Sequence, residues 1–140
     1  MPGVLLYLQA ICNNDGVRKT QATRLVAELL SASPTPLSLA ELHAGVRERL
    51  PQTAFSTVFR VVERLEREHA VNRVDWRERG SRFEWADRPH HHHLVCGDCG
   101  RSVDLDDGDL GFSERRIRSR TGFVVSHHSI ELEGTCPDCQ

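Results

Sequence analysis

No apolar run in this 140-residue chain approaches the roughly 20 residues a membrane-spanning helix needs, so that class of protein is excluded. The opening, Met1-Pro2-Gly3-Val4-Leu5-Leu6-Tyr7-Leu8, is apolar but lacks the basic segment of a signal peptide. A reducing cytoplasm is the expectation, with no membrane partner and with thiols kept free. There is no His-Glu-x-x-His and no nucleophile elbow, so the chain is expected not to be an enzyme. No internal repeat or low-complexity segment occurs apart from one run of histidines. A large net charge is also missing. The formal value of −2 says nothing by itself about nucleic acid.

The distribution of charge says more. Residues 1–88 carry 13 basic and 11 acidic side chains, whereas residues 89–140 carry 5 and 9. The first part is the one expected to meet DNA, and the second to hold cations.

Against these absences stands Pro89–Gly100. Four consecutive histidines, His90 to His93, run into the pair Cys96 and Cys99, and a second Cys-x-x-Cys, Cys136 and Cys139, lies near the end of the chain. Two such hooks supply the four sulfurs of a closed tetrahedral zinc site. Two disulfides are the competing use of this spacing, and a reducing compartment argues against them. If residues 90–95 are extended, His91 and His93 face one way and His90 and His92 the other. One short strand then serves two metal sites. The run is internal, which argues against a purification tag; a solvated polar turn is the plainer alternative. Cys12, the odd cysteine, is expected on the first helix as a small apolar residue.

The segments before the histidines are helical. Residues 4–12 suit a short helix, broken by Asn13-Asn14-Asp15-Gly16. Thr20 caps a second, with Ala22, Leu25, Val26, Leu29 and Leu30 at helical spacing. Ser38 caps a third, with Glu41 completing a capping box and Leu39, Leu42, Val46 and Leu50 as its inner stripe. A fourth runs from Thr53 to about His69. Its apolar face is Phe55, Val58, Phe59, Val62 and Leu65; its other face carries Ser56, Thr57, Arg60, Glu63, Arg64 and Arg67. Strands over Val71–Trp76 and Arg82–Trp85 are joined by Arg77-Glu78-Arg79-Gly80-Ser81, with glycine where positive φ costs little. Helices followed by a basic hairpin read as a winged helix, with the last helix in the major groove and the hairpin as wing. Residues 86–89 form a hinge. Beyond it the pattern is β, α, β: strands at Leu94-Val95 and Ser102–Leu105, a helix over Asp109–Arg120, and a strand over Phe123–Glu133. The fold class is therefore α+β. Residues 1–86 are expected to form a winged-helix DNA-binding domain and residues 87–140 a small α/β domain.

The His-His-His-His-Leu-Val-Cys-x-x-Cys-Gly run, the Ser-His-His-Ser-Ile-Glu-Leu-x-Gly-Thr-Cys-x-x-Cys ending and Ser56-Thr57-Val58-Phe59-Arg60 resemble the ferric uptake regulator family over roughly residues 15–139. The resemblance implies a homodimeric, metal-gated repressor of metal homeostasis that binds double-stranded operator DNA, with residues 87–140 as its dimerisation domain. It implies structural Zn²⁺ on Cys96, Cys99, Cys136 and Cys139, and a sensing site of Glu84, His91, His93 and Asp104. A third site is implied at His90, His92 and His128, with Asp109 or Asp107 as the acid. Thr57, Phe59 and Arg60 match the recognition helix, Arg18 and Arg24 match basic positions near the start, and Arg77 and Arg79 fall in the wing.

The chain departs from the family pattern in places. Pro36 stands where iron and peroxide sensors place a His, and Asn72 and Ala86 where zinc sensors place Asp or Cys. His92 replaces an Asp, Phe59 a Tyr, and Gly111 an acidic ligand. The oxygen donors Glu84 and Asp104 favour Fe²⁺ or Mn²⁺ as the sensed metal; Zn²⁺, as in a zinc-uptake regulator, is the alternative, and a peroxide sensor the less favoured one. A hydrolase on His91, His93 and Glu84, or a metal-buffering module without DNA binding, are the competing classes. The basic fourth helix and the wing count against the second.

Overall fold

The computed structural model describes Leu6 and residues 21–140. The expected helix over 4–12 (Leu6 apart), its break at Asn13–Gly16, Cys12, Arg18 and the Thr20 cap lie outside the described residues. These residues divide into two compact units that part between Arg88 and Pro89. No helix among them is long and apolar enough to cross a membrane.

The first unit is a winged helix. Helix α1 (Gln21–Ala32) buries Ala22, Val26, Ala27 and Leu30, a stripe at helical spacing. A two-residue strand β1 (Leu37–Ser38) leads into α2 (Leu39–Arg49). Ser38 caps α2: its hydroxyl accepts the Glu41 N–H at 3.2 Å, and the Glu41 carboxylate accepts the Ser38 N–H at 2.7 Å. Helix α3 (Phe55–Arg67) buries Val58, Val61, Val62 and Leu65. These four, with Val26, Leu30, Leu42, Val46, Val71, Phe83 and Trp85, form one core. Phe55 and Phe59 do not join it, contrary to the sequence reading. Val61, unmarked there, completes the i, i+3, i+4, i+7 stripe, and the two phenyl rings are left exposed. His69 ends this stretch in the left-handed region, φ 57°.

Strands β2 (Val71–Trp76) and β3 (Gly80–Trp85) pair antiparallel, joined by a 3₁₀ turn over Arg77–Arg79. Gly80 leaves that turn with φ 75°, the positive value the hairpin requires. β1 pairs with β3, Leu37 opposite Phe83, giving the order β1-β3-β2. Such a short strand has no periodicity of its own, so the sequence showed only the Ser38 cap.

The second unit is a three-stranded sheet, order β5-β4-β6. β4 (His92–Cys96) runs antiparallel to β5 (Ser102–Leu105) and parallel to β6 (Glu131–Gly134). Between β5 and β6 the expected single helix is two, α4 (Asp107–Leu110) and α5 (Glu114–Thr121). Gly111 in the left-handed region ends the first, and the Ser113 hydroxyl caps the second. The expected strand from Phe123 is paired only over Glu131–Gly134. Phe123 and Val124 are 76% and 69% exposed. Among the described residues this unit buries only His92, His93, Val95 and Cys96.

Candidate metal centres and nucleic-acid face

Adjacent parallel strands deliver both cysteine hooks to one end of the second sheet. Cys96 closes β4 opposite Gly134, which closes β6, and each hook follows. Gly100 N–H to Cys96 O and Cys139 N–H to Cys136 O, both 2.9 Å, make each hook a tight turn. The four thiols are free, and their sulfurs all lie within 4.8 Å of one another. That donor set fits tetrahedral zinc with no open position. The backbone N–H groups of Cys99 and Cys136 hold the Cys96 thiol down at about 6. Cys139, beside the Cys136 and Cys99 sulfurs, is pushed up to about 12. A divalent cation bound among them would hold all four sulfurs as thiolates. Arg101, ion-paired with Asp138, brings positive charge to the rim of the cluster.

The histidine run divides as strand alternation requires. His90 and His92 meet edge to face at 4.8 Å, and so do His91 and His93. On the first side, His92 Nε2 lies 2.8 Å and His128 Nε2 2.9 Å from Asp107 Oδ1. His90 Nε2 is 2.9 Å from His128 Nε2. Donation from His92 and His128 holds the Asp107 carboxyl below the usual carboxylate range. Three nitrogens and one carboxylate oxygen thus converge in a donor set suited to a divalent metal. Asp109, the other acid the sequence offered for this site, is elsewhere. Its carboxylate accepts the Asp106 N–H at 2.9 Å and its N–H donates to Asp106, completing a capping box on α4. Phe112 stacks on His128, centroids 4.1 Å apart, and holds that ring; nothing in the sequence marked it.

On the other side, β4–β5 register sets His93 opposite Asp104, and His93 Nδ1 lies 3.5 Å from Asp104 Oδ1. His91 Nδ1 is 2.6 Å from Pro89 O. Glu84 belongs to the first unit, on β3. It is buried there and ion-paired with Arg88 at 3.0 Å.

The outer face of α3 presents Ser56, Phe59, Arg60, Glu63 and Arg67 to solvent, with Thr57 half-buried. Arg64, placed on that face from the sequence, instead donates to the buried Thr23 hydroxyl at 2.6 Å. The α3 N-terminus has no side-chain cap; His43 Nε2, 2.9 Å from Thr53 O, anchors the turn before it. His43 is therefore a half-buried histidine held against the backbone. Arg77 and Arg79 are exposed in the wing turn. Arg24 is exposed on α1 and paired with Glu28 at 2.9 Å.

The model of the ferric uptake regulator family matches residues 14–133. The chain is 25% identical over 138 residues to the ferric uptake regulation protein of Campylobacter jejuni, spanning 97% of this chain and 88% of that one. It is 28% identical over 127 residues to the peroxide-responsive repressor PerR of Staphylococcus saprophyticus, spanning 91% and 85%. The Helicobacter pylori ferric uptake regulator Fur, whose structure is described as revealing three functional metal binding sites, superposes with a TM-score of 0.87. That match spans 99% of this chain and 92% of the other at 23% identity, a likeness of fold.

Proposed function

Because the chain belongs to the ferric uptake regulator family of metal-responsive transcriptional regulators, we propose that it is a homodimeric repressor of metal homeostasis that binds double-stranded operator DNA when a divalent metal fills its sensing site. One observation carries this reading. A winged helix with an exposed basic helix face shares a chain with a unit whose side chains already stand in two metal-ligand clusters. Residues 1–86 serve as the DNA-binding domain and residues 87–140 as the dimerisation domain.

Cys96, Cys99, Cys136 and Cys139 hold structural Zn²⁺. Bound there, the ion ties the C-terminal segment to β4 and contributes its binding free energy to folding. Glu84, His91, His93 and Asp104 form the sensing site, supported by the family pattern and by the mixed imidazole and carboxylate donors. His90, His92, His128 and Asp107 form a third site. Thr57, Phe59 and Arg60 face the major groove, while Arg18, Arg24, Arg77 and Arg79 meet phosphates. A metal at the sensing site supplies charge neutralisation and cross-linking of ligands contributed by both domains. It favours DNA binding only by its differential affinity for the DNA-competent arrangement. Two of the four sensing donors are carboxylates and none is a thiolate, which favours Fe²⁺ or Mn²⁺ over Zn²⁺. Pro36 contributes no side-chain donor, which sets the peroxide-sensor reading behind both.

The test is operator binding by the zinc-loaded chain, without further metal and with Fe²⁺, Mn²⁺ or Zn²⁺ added, for the parent and for His91→Ala/His93→Ala. The parent should bind only with metal, and the double variant should keep its structural zinc but lose the response. An unaltered response would move the sensor to the His90, His92 and His128 cluster. Metal-independent binding by the parent would refute the repressor reading.

A further inference from the structure

Helix α5 concentrates charge in a way that neither its own stability nor the metal sites explain. Residues 89–140 hold five basic side chains against nine acidic ones. Four of the five, Arg115, Arg116, Arg118 and Arg120, lie within this one eight-residue helix. At about 3.6 residues per turn, Glu114, Ile117 and Thr121 share one face. Glu114 points its carboxylate toward His128, 3.6 Å away, and Ile117 is the one half-buried residue of the helix. The opposite arc consists of the four arginines and Ser119, and all five are exposed. Among the described residues none of the four guanidinium groups has an acidic partner.

The plainest account is helix-dipole compensation, which serves Arg118 and Arg120 in the last turn. It fails for Arg115 and Arg116. They sit in the first turn, where a positive charge opposes the dipole and like charges three and four residues apart repel. A face kept merely soluble would mix signs along its length. This one carries no acid after Glu114.

We propose that the outward face of α5 is a second anion-binding surface, whose occupant is the phosphate backbone of duplex DNA outside the base-reading contacts of α3. Charge complementarity selects that occupant. Four guanidiniums over about 7.5 Å of helix axis give roughly one positive charge per 2 Å, against one negative charge per about 1.7 Å of duplex. Arginine also meets phosphate oxygens with two parallel donors. Contacts of this kind are blind to sequence; they strengthen binding to every duplex and steepen its salt dependence.

The proposal rests on the DNA-binding reading, and the test separates the two. Affinity for a long random-sequence duplex and for operator is measured against salt concentration, using the zinc-loaded full chain. The parent is compared with Arg115→Gln/Arg116→Gln/Arg118→Gln/Arg120→Gln and with the matching fourfold Lys variant. The Gln variant should remain dimeric, lose affinity for both duplexes by the same factor, and show a log–log salt slope shallower by about 2 to 4. The Lys variant should keep most of the slope. An unchanged slope and affinity in the Gln variant would overturn the proposal, and so would its conversion to a monomer, since a second copy would then be what covers this face. A parent without metal-dependent operator preference would sink the repressor reading yet leave the random-duplex comparison to decide this one.

Discussion

Asp107 and Asp109 show what a single residue's position hides from its sequence. They are acids two apart, Asp107 half-buried and Asp109 exposed, and only the fold decides which one meets the histidines. A signal was nonetheless present. Asp106-x-x-Asp109 has the spacing of a capping box, which commits Asp109 to the backbone and releases Asp107. Asp107→Asn should therefore weaken metal binding at His90, His92 and His128 by an order of magnitude or more. Asp109→Asn should leave that affinity nearly unchanged and cost about 1 kcal/mol of helix capping. Metal titration of the zinc-loaded variants, with melting curves, separates the two effects. Glu41 carries a second residue-scale prediction. Burial alone would raise its carboxyl, yet the Ser38 N–H and hydroxyl and the Arg82 guanidinium outweigh this and hold it below its usual value. A depressed carboxylate stabilises the fold above its unfolded pKa, and the contribution fades as pH falls through the folded value. Glu41→Gln should thus lower stability at neutral pH and flatten its decline below about pH 4. Parallel acid-melting curves for variant and parent would contradict this.

At the scale of elements, legibility followed the length of the repeat and the presence of a partner. α1, α2 and α3 each bury an apolar stripe, and the sequence placed them within a residue or two; the β2–β3 hairpin was equally plain from its turn. β1 was not, because two residues have no period and its pairing with β3 lies 46 positions away in the register Leu37–Phe83. The segment from Phe123 failed for a different reason. Its alternation is real, but Phe123 and Val124 stand exposed because no strand among the described residues pairs with them. A unit that buries only four residues cannot supply a full core alone, and these side chains are what a second copy would cover. Val124→Asp should shift the protein to monomer at micromolar concentration with its structural zinc retained. A variant sedimenting as the parent does would remove residues 123–130 from the interface.

At the scale of the whole molecule, the winged-helix unit and the unit carrying the cysteine and histidine clusters are joined in sequence at Arg88-Pro89, and the proposed regulation has to cross that junction. The sequence made the metal chemistry legible through the hooks and the histidine run, since ligand spacing is local. It could not fix the sensed metal, because a mixed set of imidazoles and carboxylates serves several divalent ions. Thermodynamics nevertheless constrains the gate. If metal at Glu84, His91, His93 and Asp104 raises operator affinity by some factor, operator must raise metal affinity by the same factor. The usual coupling of about 1–3 kcal/mol predicts a roughly 5- to 150-fold tightening of metal when operator is present. Random duplex, held by phosphate contacts alone, should tighten it less. Glu84 is the sensitive point, since it is the one proposed sensing ligand that belongs to the winged-helix unit, where it is ion-paired with Arg88. Glu84→Gln should therefore leave the metal affinity of the DNA-free protein within a few-fold and abolish most of the coupling. A His93→Ala substitution should instead lower metal affinity with and without DNA. Metal titrations of both variants, each with and without operator, measure the four affinities directly. If Glu84→Gln keeps the full operator-induced tightening, the coupling does not pass through Glu84, and the gate must be sought among the ligands that lie wholly within residues 89–140.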